Sequence, residues 1–401
     1  MKKQYVIYER AHLMCPNMEF GICGKINAEY DESKLRSSLK VLEKCHPFLH
    51  STIAREGDTG RLYYDTSSLK AVEWIVKDDF SQMLNDYSDV ISDGWNVFKE
   101  GLLKLIVYPH KEDFQILFIA HHLLCDGRGL LKLMVEFADL YVEGKNPALA
   151  EERLMQRVED LPSGSKLSPI NKLIIEHVNK GWLKEDHNLS YENYLMFERE
   201  FLKNNKVDYE VSTVEGEELN SIVRQCRENK VSVNDYLVAK MMVEEDVSKV
   251  VIAADIRNQL RCYKEGALGN YATAMGIEVR KKNRDLMVMA KEIRYQVMNK
   301  MKDNSKLMMV LACYFEMVPE LIDVMAISTL GDFKSKAGSF VGGKMFGYKT
   351  RDGYSITNLG RVNSSSLIEA MFIPPASPAN KVTVGVLTVN GKMKLCRACS
   401  E

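Results

Sequence analysis

The most informative stretch of this 401-residue chain is His121-His122-Leu123-Leu124-Cys125-Asp126-Gly127. An apolar run over residues 114–120 comes directly before it, and a broad apolar helical face between Leu130 and Tyr141 follows. A short apolar run of this kind predicts a buried strand, and the spacing of the later apolar residues predicts a helix. The histidine pair is therefore expected at the end of a strand, where the rim of a sheet holds a side chain rigidly.

The two histidines cannot share one role, because adjacent residues on a strand point to opposite faces of the sheet. One of them is expected to face a cleft and the other to face packing or solvent. A neutral imidazole accepts a proton near neutral pH, since its ordinary pKa is about 6.5. Asp126 can fix the turn by local hydrogen bonds or by pairing with a cation. Gly127 allows a backbone turn that most residues resist.

The rest of the chain mixes strands with helices in both halves. In the first half we predict strands over residues 18–30, 102–108 and 114–120, and a helix from near Asp31 that Pro47 stops. Residues 144–168 are rich in Pro, Gly and Ser and are predicted to connect two lobes, over residues 1–165 and 166–401. The pattern predicts an α+β (mixed α/β) fold with two lobes of similar size.

The second half shows a further series of local patterns. Ser232-Val233-Asn234-Asp235 is typical of a capping box, and Asn390-Gly391 is the strongest short hairpin pattern in the chain. Strands are predicted over residues 207–214, 249–256, 382–389 and 392–397, and helices over residues 217–229 and 284–301.

Composition excludes several classes of protein. Lys plus Arg number 54 and Asp plus Glu number 55, a formal net charge of −1, so no general attraction to nucleic acid is expected. No apolar run reaches the roughly 18–20 residues that span a bilayer, and the N-terminus does not resemble a signal peptide, so we expect a cytoplasmic protein. The nine cysteines are interpreted as reduced thiols. Cys396 and Cys399 have the spacing of half a zinc site, but nothing completes it, so no metal is expected and the C-terminus is interpreted as a frayed tail.

His-His-x-x-x-Asp-Gly at a strand end resembles the signature of the chloramphenicol acetyltransferase-like acyltransferases. This superfamily includes the condensation domains of nonribosomal peptide synthetases and the alcohol acetyltransferases. Other stretches resemble its motifs in the same order, and they lie at residues 42–51, 254–258, 268–271 and 356–362. The resemblance covers about residues 5–395 and implies two similar chloramphenicol acetyltransferase-like lobes with a substrate tunnel between them.

The resemblance also implies roles for the residues of the motif. His122 would be the general base that takes a proton from an alcohol or amine acceptor, which then attacks a thioester. Asp126 would pair with Arg257 and hold the shape of the turn, while Gly127 would keep the space over His122 open. His121 is left as structural support. No covalent acyl-enzyme is required, so Cys125 is interpreted as a small buried residue.

Three further residues would line the tunnel, namely Asn270, Thr357 and Asn358. Their amides and hydroxyl are candidate donors to an oxyanion or to a pantetheine arm, although a turn or cap role fits each of them equally well. No permanently bound cofactor is expected. The co-substrate would be acyl-coenzyme A or acyl-phosphopantetheine, and the other partner a small-molecule acceptor.

The family pattern leaves the donor and the acceptor open. His50 stands where many relatives carry arginine, and the sequence holds no adenylation or carrier domain, so we expect a free-standing protein. The leading hypothesis is an acyltransferase that uses coenzyme A thioesters. A second is a condensation-type enzyme whose donor is carried on an acyl or peptidyl carrier protein. A third is a non-catalytic protein that binds a carrier or another partner, against which the presence of both His122 and Asp126 argues.

Overall fold

The computed structural model describes residues 3–57, 59–280 and 285–400. Its strands are β1 (Phe20–Ile26), β2 (Thr52–Arg55), β3 (Leu62–Asp65), β4 (Glu73–Val76), β5 (Leu103–Pro109), β6 (Phe114–Ala120), β7 (Val207–Glu215), β8 (Lys249–Asp255), β9 (Ala272–Glu278), β10 (Gly353–Val362), β11 (Leu367–Ile373), β12 (Asn380–Val389) and β13 (Lys392–Ser400). Its α-helices are α1 (Arg10–Leu13), α2 (Glu32–Cys45), α3 (Met83–Ser92), α4 (Gly127–Glu143), α5 (Pro169–Glu185), α6 (Tyr191–Asn204), α7 (Gly216–Glu228), α8 (Val233–Glu244), α9 (Leu286–Met301), α10 (Asn304–Leu307), α11 (Met309–Glu316), α12 (Pro319–Val324), α13 (Ile327–Leu330) and α14 (Lys336–Phe340).

The first sheet has the strand order β11-β1-β6-β5-β4 and places β6 at its centre. β6 pairs antiparallel with both β1 and β5, and every residue of β6 is buried. Its last residue, Ala120, lies opposite Phe20 of β1 and Leu103 of β5. The histidine pair therefore follows a central, fully buried strand, as the apolar run predicted.

The second sheet has the order β7-β13-β12-β10-β8-β9. β10 lies inside it and runs parallel to both β8 and β12. β12 and β13 form the predicted hairpin, with φ of 50° at Asn390 and 79° at Gly391, as a tight turn of this kind requires. The interpretation of the C-terminus as a frayed tail was wrong. β13 pairs on both sides, with β12 and β7, and Cys396 is fully buried.

The predicted helices start at side-chain caps. The carboxylate of Asp31 accepts a hydrogen bond from the Lys34 amide and opens α2, and Ser232 with Asp235 forms the predicted capping box of α8. Such caps satisfy backbone N–H groups that a helix leaves without partners. The helix predicted from residue 284 is present as α9, but Arg284 itself lies outside the described residues.

The two sheets are joined by more than the connecting segment. Residues 144–168 hold one 3-10 turn, at Val158–Asp160, and are otherwise irregular. β11 comes from the second half of the sequence, yet it pairs with β1 and extends the first sheet. The α+β architecture is thus as predicted, whereas the division at residue 165 stays a prediction. Among the described residues, no helix is both long enough and apolar enough to cross a bilayer.

Candidate active site

His122 lies in a cleft of about 160 Å³ to which both sheets contribute. Phe20 and Phe372 come from β1 and β11 of the first sheet, and Thr357 and Leu359 come from β10 of the second. Of the residues predicted from the sequence, the cleft lining includes His122, Asp126, Gly127, Arg257, Thr357 and Asn358.

Asn270 fixes the orientation of the His122 ring. Nδ1 of His122 lies 2.7 Å from Oδ1 of Asn270, and the Asn270 amide NH₂ donates to the backbone carbonyl of His122, also at 2.7 Å. With the amide in this orientation, its oxygen can only accept, so Nδ1 of the neutral ring must carry the hydrogen. The other nitrogen, Nε2, then keeps a lone pair with which to accept a proton.

Two aromatic rings lie against His122. The ring of His12 is stacked on it, with centroids 4.2 Å apart and planes 11° from parallel. Phe20 lies 4.9 Å away at a tilt of 55°. Burial lowers the pKa of His122, while the charge of Asp126 and the hydrogen bond to Asn270 act in the opposite direction. His122 is therefore neutral at neutral pH, the state that a general base needs.

His121 is not part of the cleft lining and lies in different surroundings from His122, as was expected of one histidine of the pair. It is buried, its Nδ1 accepts a hydrogen bond from the Leu123 amide at 3.2 Å, and its ring packs edge-on against Trp95. Burial, together with the nearby His122 and Lys104, lowers the pKa of His121 to about 3. Its surroundings fit the supporting role predicted for it.

Asp126 holds three elements together. Its Oδ1 accepts from Nη2 of Arg257 at 2.5 Å and from the Gly129 amide at 3.0 Å, which caps α4. Its Oδ2 accepts from the Tyr271 amide at 2.8 Å. The predicted ion pair of Asp126 with Arg257 is thus present, and the carboxylate is occupied by donors of the scaffold.

Arg257 is held on a second side by Asp255. Its Nη1 lies 3.0 Å from Oδ1 of Asp255, at the end of β8. Burial alone would lower the pKa of Arg257, but the attraction and hydrogen bonds of Asp126 and Asp255 outweigh it and raise the pKa. The guanidinium therefore stays charged, and it links the motif on the first sheet to a strand end of the second.

Gly127 is the first residue of α4 and lies against the opposite wall of the cleft. A Cβ at this position would come within 2.8 Å of the Leu359 side chain and 3.3 Å of the Phe372 ring. Contacts this short force neighbouring groups to move. The geometry fits the prediction that a larger residue here closes the space beside His122.

Of the three residues predicted to line a tunnel, two line the cleft and the third, Asn270, does not. Thr357 and Asn358 do line the cleft. Oδ1 of Asn358 accepts from the Gly360 amide at 2.9 Å, which leaves its NH₂ group available to donate. Asn270 is buried, and both ends of its amide are bonded to His122. The Asn270 oxygen and one of its two N–H groups are thus bonded to His122, and Asn270 is not part of the cleft lining, so its role as a donor to an oxyanion or a pantetheine arm stays a prediction.

Within the part of the chain that the structure describes, neither a reactive Cys125 thiol nor a metal site is supported. Burial raises the pKa of Cys125 well above its ordinary range, so this thiol is a poor nucleophile at neutral pH. Within residues 3–57, 59–280 and 285–400, no group of His, Cys, Asp or Glu is arranged to hold a metal ion.

Two features of the site were missed in the sequence, namely His12 and the pairing of Asn270 with His122. His12 stands in a stretch with no motif, and only its place on α1 brings it against the ring of His122. For Asn270 the Gly-Asn motif did indicate a functional position, but it could not show which group the amide contacts.

No protein-family model and no curated protein sequence matches this chain. Solved structures do match over nearly its full length. The condensation domain of the monacolin K polyketide synthase MokA has a TM-score of 0.60 and 11% identity, covering 100% of this chain and 92% of that one. The chain has the condensation-domain fold. The fold that the family resemblance implied is thereby confirmed.

Two further structures with this fold carry different descriptions. SgcC5 from Streptomyces globisporus, in a complex with (R)-(-)-1-(2-naphthyl)-1,2-ethanediol and sucrose, has a TM-score of 0.57 and 13% identity, covering 99% of this chain and 93% of that one. The epimerization domain from the third module of tyrocidine synthetase B has a TM-score of 0.55 and 12% identity, covering 98% of this chain and 87% of that one. The fold alone therefore does not determine the reaction.

Proposed function

We propose that this protein transfers an acyl group from a thioester to an alcohol or amine, with His122 as the general base. The observation that carries the proposal is the Nδ1 hydrogen bond to Asn270, which leaves Nε2 of His122 to accept a proton beside the cleft. In this scheme the acceptor itself attacks the thioester, so no nucleophile of the protein takes part.

The reaction balances with His122 as the only proton carrier. Nε2 takes the proton as the acceptor oxygen or nitrogen attacks the thioester carbonyl carbon, which gives a tetrahedral oxyanion. The oxyanion then collapses, the carbon–sulfur bond breaks, and the leaving sulfur takes the proton from the His122 imidazolium. Base catalysis of this kind contributes roughly 10²–10⁴-fold, and holding the two substrates together supplies much of the remainder.

The other residues of the site support this step in different ways. Asn270 holds the ring while it is charged, because its oxygen accepts from Nδ1–H in both protonation states. The NH₂ group of Asn358 and the hydroxyl of Thr357 are the candidate donors to the oxyanion. Asp126 and Arg257 act through the shape of the turn, since each is bonded to the scaffold.

The donor has two candidate forms with the same reacting group. The sequence favoured a coenzyme A thioester, whereas the likeness to the condensation domain of a polyketide synthase supports a thioester on a carrier protein. The diol bound in SgcC5 supports a hydroxyl acceptor. A non-catalytic binding role is disfavoured, because the tautomer of His122 is set for proton transfer.

Release of free thiol tests the proposal. Purified protein is incubated with acetyl- and longer acyl-coenzyme A, or with an acyl-loaded carrier protein, together with a panel of alcohols and amines. Acceptor-dependent thiol release with either donor is the expected result, and the donor that works decides between the two forms. Binding of donors and acceptors without turnover, across the whole panel, would contradict the proposal and favour the binding role.

A further inference from the structure

The α1 segment reaches the site from the N-terminus and connects it to the second half of the chain. Arg10 forms a two-pronged ion pair with Asp323 of α12, at 2.8 and 2.6 Å, and both side chains are buried. The hydroxyl of Tyr8 donates to the backbone carbonyl of Asn270. Contacts on both sides therefore fix the position of His12 on this short helix.

The His12 side chain contacts His122 through the face of its ring. It is stacked on His122 at a centroid distance of 4.2 Å, nearly parallel, and its Nδ1 is buried without a hydrogen-bond partner among the described residues. A buried ring nitrogen without a partner costs free energy. Hydrogen bonding of Nδ1 therefore does not account for the position of the His12 ring, whereas the ring is in close contact with the proposed base, His122.

We propose that His12 is a positioning residue whose neutral ring stabilises the imidazolium that His122 forms during acyl transfer. A cation that lies over the face of a π-system is attracted to it, and the attraction is stronger where water is excluded. The inference rests on the proposed function, because His122 carries a positive charge only after it has taken the acceptor proton.

The charges around the pair suit this arrangement. Asp126 attracts a positive charge on His122, while His122 and His121 both oppose a positive charge on His12. Burial, with the effect of these two histidines, lowers the pKa of His12 well below its ordinary value. The proton therefore goes to His122, and His12 stays neutral beside it.

The variants His12→Phe and His12→Leu separate the ring face from simple filling of space. Both fill the position with an apolar side chain, but only phenylalanine presents a π-face. Ring-labelled histidine in the protein allows the pKa of His122 to be measured by NMR. We expect the acid dissociation constant of His122 to be about three- to tenfold larger in His12→Leu than in His12→Phe. Equal values in the two variants would overturn the proposal.

Kinetics and the unmodified protein give two further readouts. In the thiol-release assay, kcat is expected to be about three- to tenfold lower in His12→Leu than in His12→Phe, with KM unchanged. His110→Ala, which removes an exposed histidine of the β5–β6 turn, serves as the control for altered histidine content. In the wild type, His122 must titrate while His12 remains neutral, and protonation of His12 first would also overturn the proposal. If the NMR difference is found but no thioester is turned over, the stacking is upheld and the proposed function fails.

Discussion

Two neighbouring regions at the end of β6 give two adjacent histidines very different surroundings. On one side, His121 is packed in a buried region that also contains Glu19, Glu198 and Trp95. On the other, His122 lines a cleft and is bonded through Nδ1 to Asn270. The two residues are adjacent in the sequence and follow directly after β6, yet their side chains have different neighbours.

The difference shows what makes an imidazole useful as a base here. Burial lowers the pKa of both rings. For His122, Asp126 and Asn270 offset part of that effect, so a proton can be taken up during a reaction. At His121, His122 and Lys104 add to burial in lowering the pKa. The carboxyl of Glu19 lies 3.7 Å from Nε2 of His121, but burial raises its own pKa to about 7. His122 therefore differs from His121 in having neighbours that favour the protonated ring.

The largest expected effect is a loss of stability when the ion pair between Asp126 and Arg257 is broken. Asp126→Ala leaves the Arg257 guanidinium in a mostly buried place with one partner removed, which costs roughly 3–5 kcal/mol. Urea unfolding measures this loss. Arg128→Ala is the matched control, because it breaks an ion pair with Asp255 whose arginine is half exposed, and should cost at most about 1 kcal/mol. If Asp126→Ala is fully stable but slow, Asp126 acts directly in catalysis instead.

The next effect is kinetic and concerns the orientation of the base. Asn270→Ala removes the acceptor of Nδ1–H, a hydrogen bond that becomes charge-assisted when His122 is protonated. Such a bond contributes about 1.5–3 kcal/mol, so kcat should fall about 10–100-fold. Thiol-release kinetics check this, with Asn193→Ala on the exposed face of α6 as control. An unchanged kcat would show that the tautomer of His122 does not depend on Asn270.

A smaller kinetic effect is expected from narrowing the cleft. Gly127→Val places side-chain atoms against Leu359 and Phe372, so kcat/KM should fall several-fold through restricted access, while the pH profile stays unchanged. The same substitution at Gly57, where an added Cβ meets no described atom within 4 Å, is the control. A shifted pH profile in Gly127→Val would instead mean that the ring of His122 has been disturbed.

A pH-dependent effect on stability is expected on the buried side. Burial, with the nearby charge of Glu19, raises the pKa of Glu198 to about 8 from its ordinary 4.5. The folded protein therefore holds a proton that the unfolded chain has lost, and the free energy of unfolding must fall as pH rises through this window. In Glu198→Gln the free energy of unfolding should fall less steeply with pH. Urea unfolding at a series of pH values over about three units, from about pH 5 to about pH 8, measures this slope. Glu200→Gln, exposed on the same helix, should leave the slope unchanged.

Much of the fold could be predicted because its patterns are local. The apolar run before His121, the start of a helix near Asp31 and the Asn390-Gly391 turn each depend on a few adjacent residues, and each is present in the structure. Different surroundings for the two histidines were also predicted, on the assumption that both stand on a strand, whereas β6 ends one residue before them. The pairing of Asp126 with Arg257 came from the family resemblance rather than from spacing.

The rest depends on contacts between residues far apart in the sequence. Asn270 was expected to face the substrate, and only the close approach of the loop after Leu268 to the motif shows that it bonds His122. His12 could not be found, since a lone histidine on a four-residue helix has no pattern. The placement of β11 in the first sheet was also hidden, because its sequence does not show which edge it joins.

The central claim is that the cleft-facing histidine, and not its neighbour, takes the acceptor proton. The most direct test compares initial rates of thiol release for the wild type, His122→Ala and His121→Ala, each shown to be folded by its unfolding transition. The account predicts a loss of roughly 10²–10⁴-fold in kcat for His122→Ala, whereas His121→Ala keeps most of its kcat and loses stability. Unchanged turnover in folded His122→Ala, or an equal loss of kcat in both variants, would contradict it.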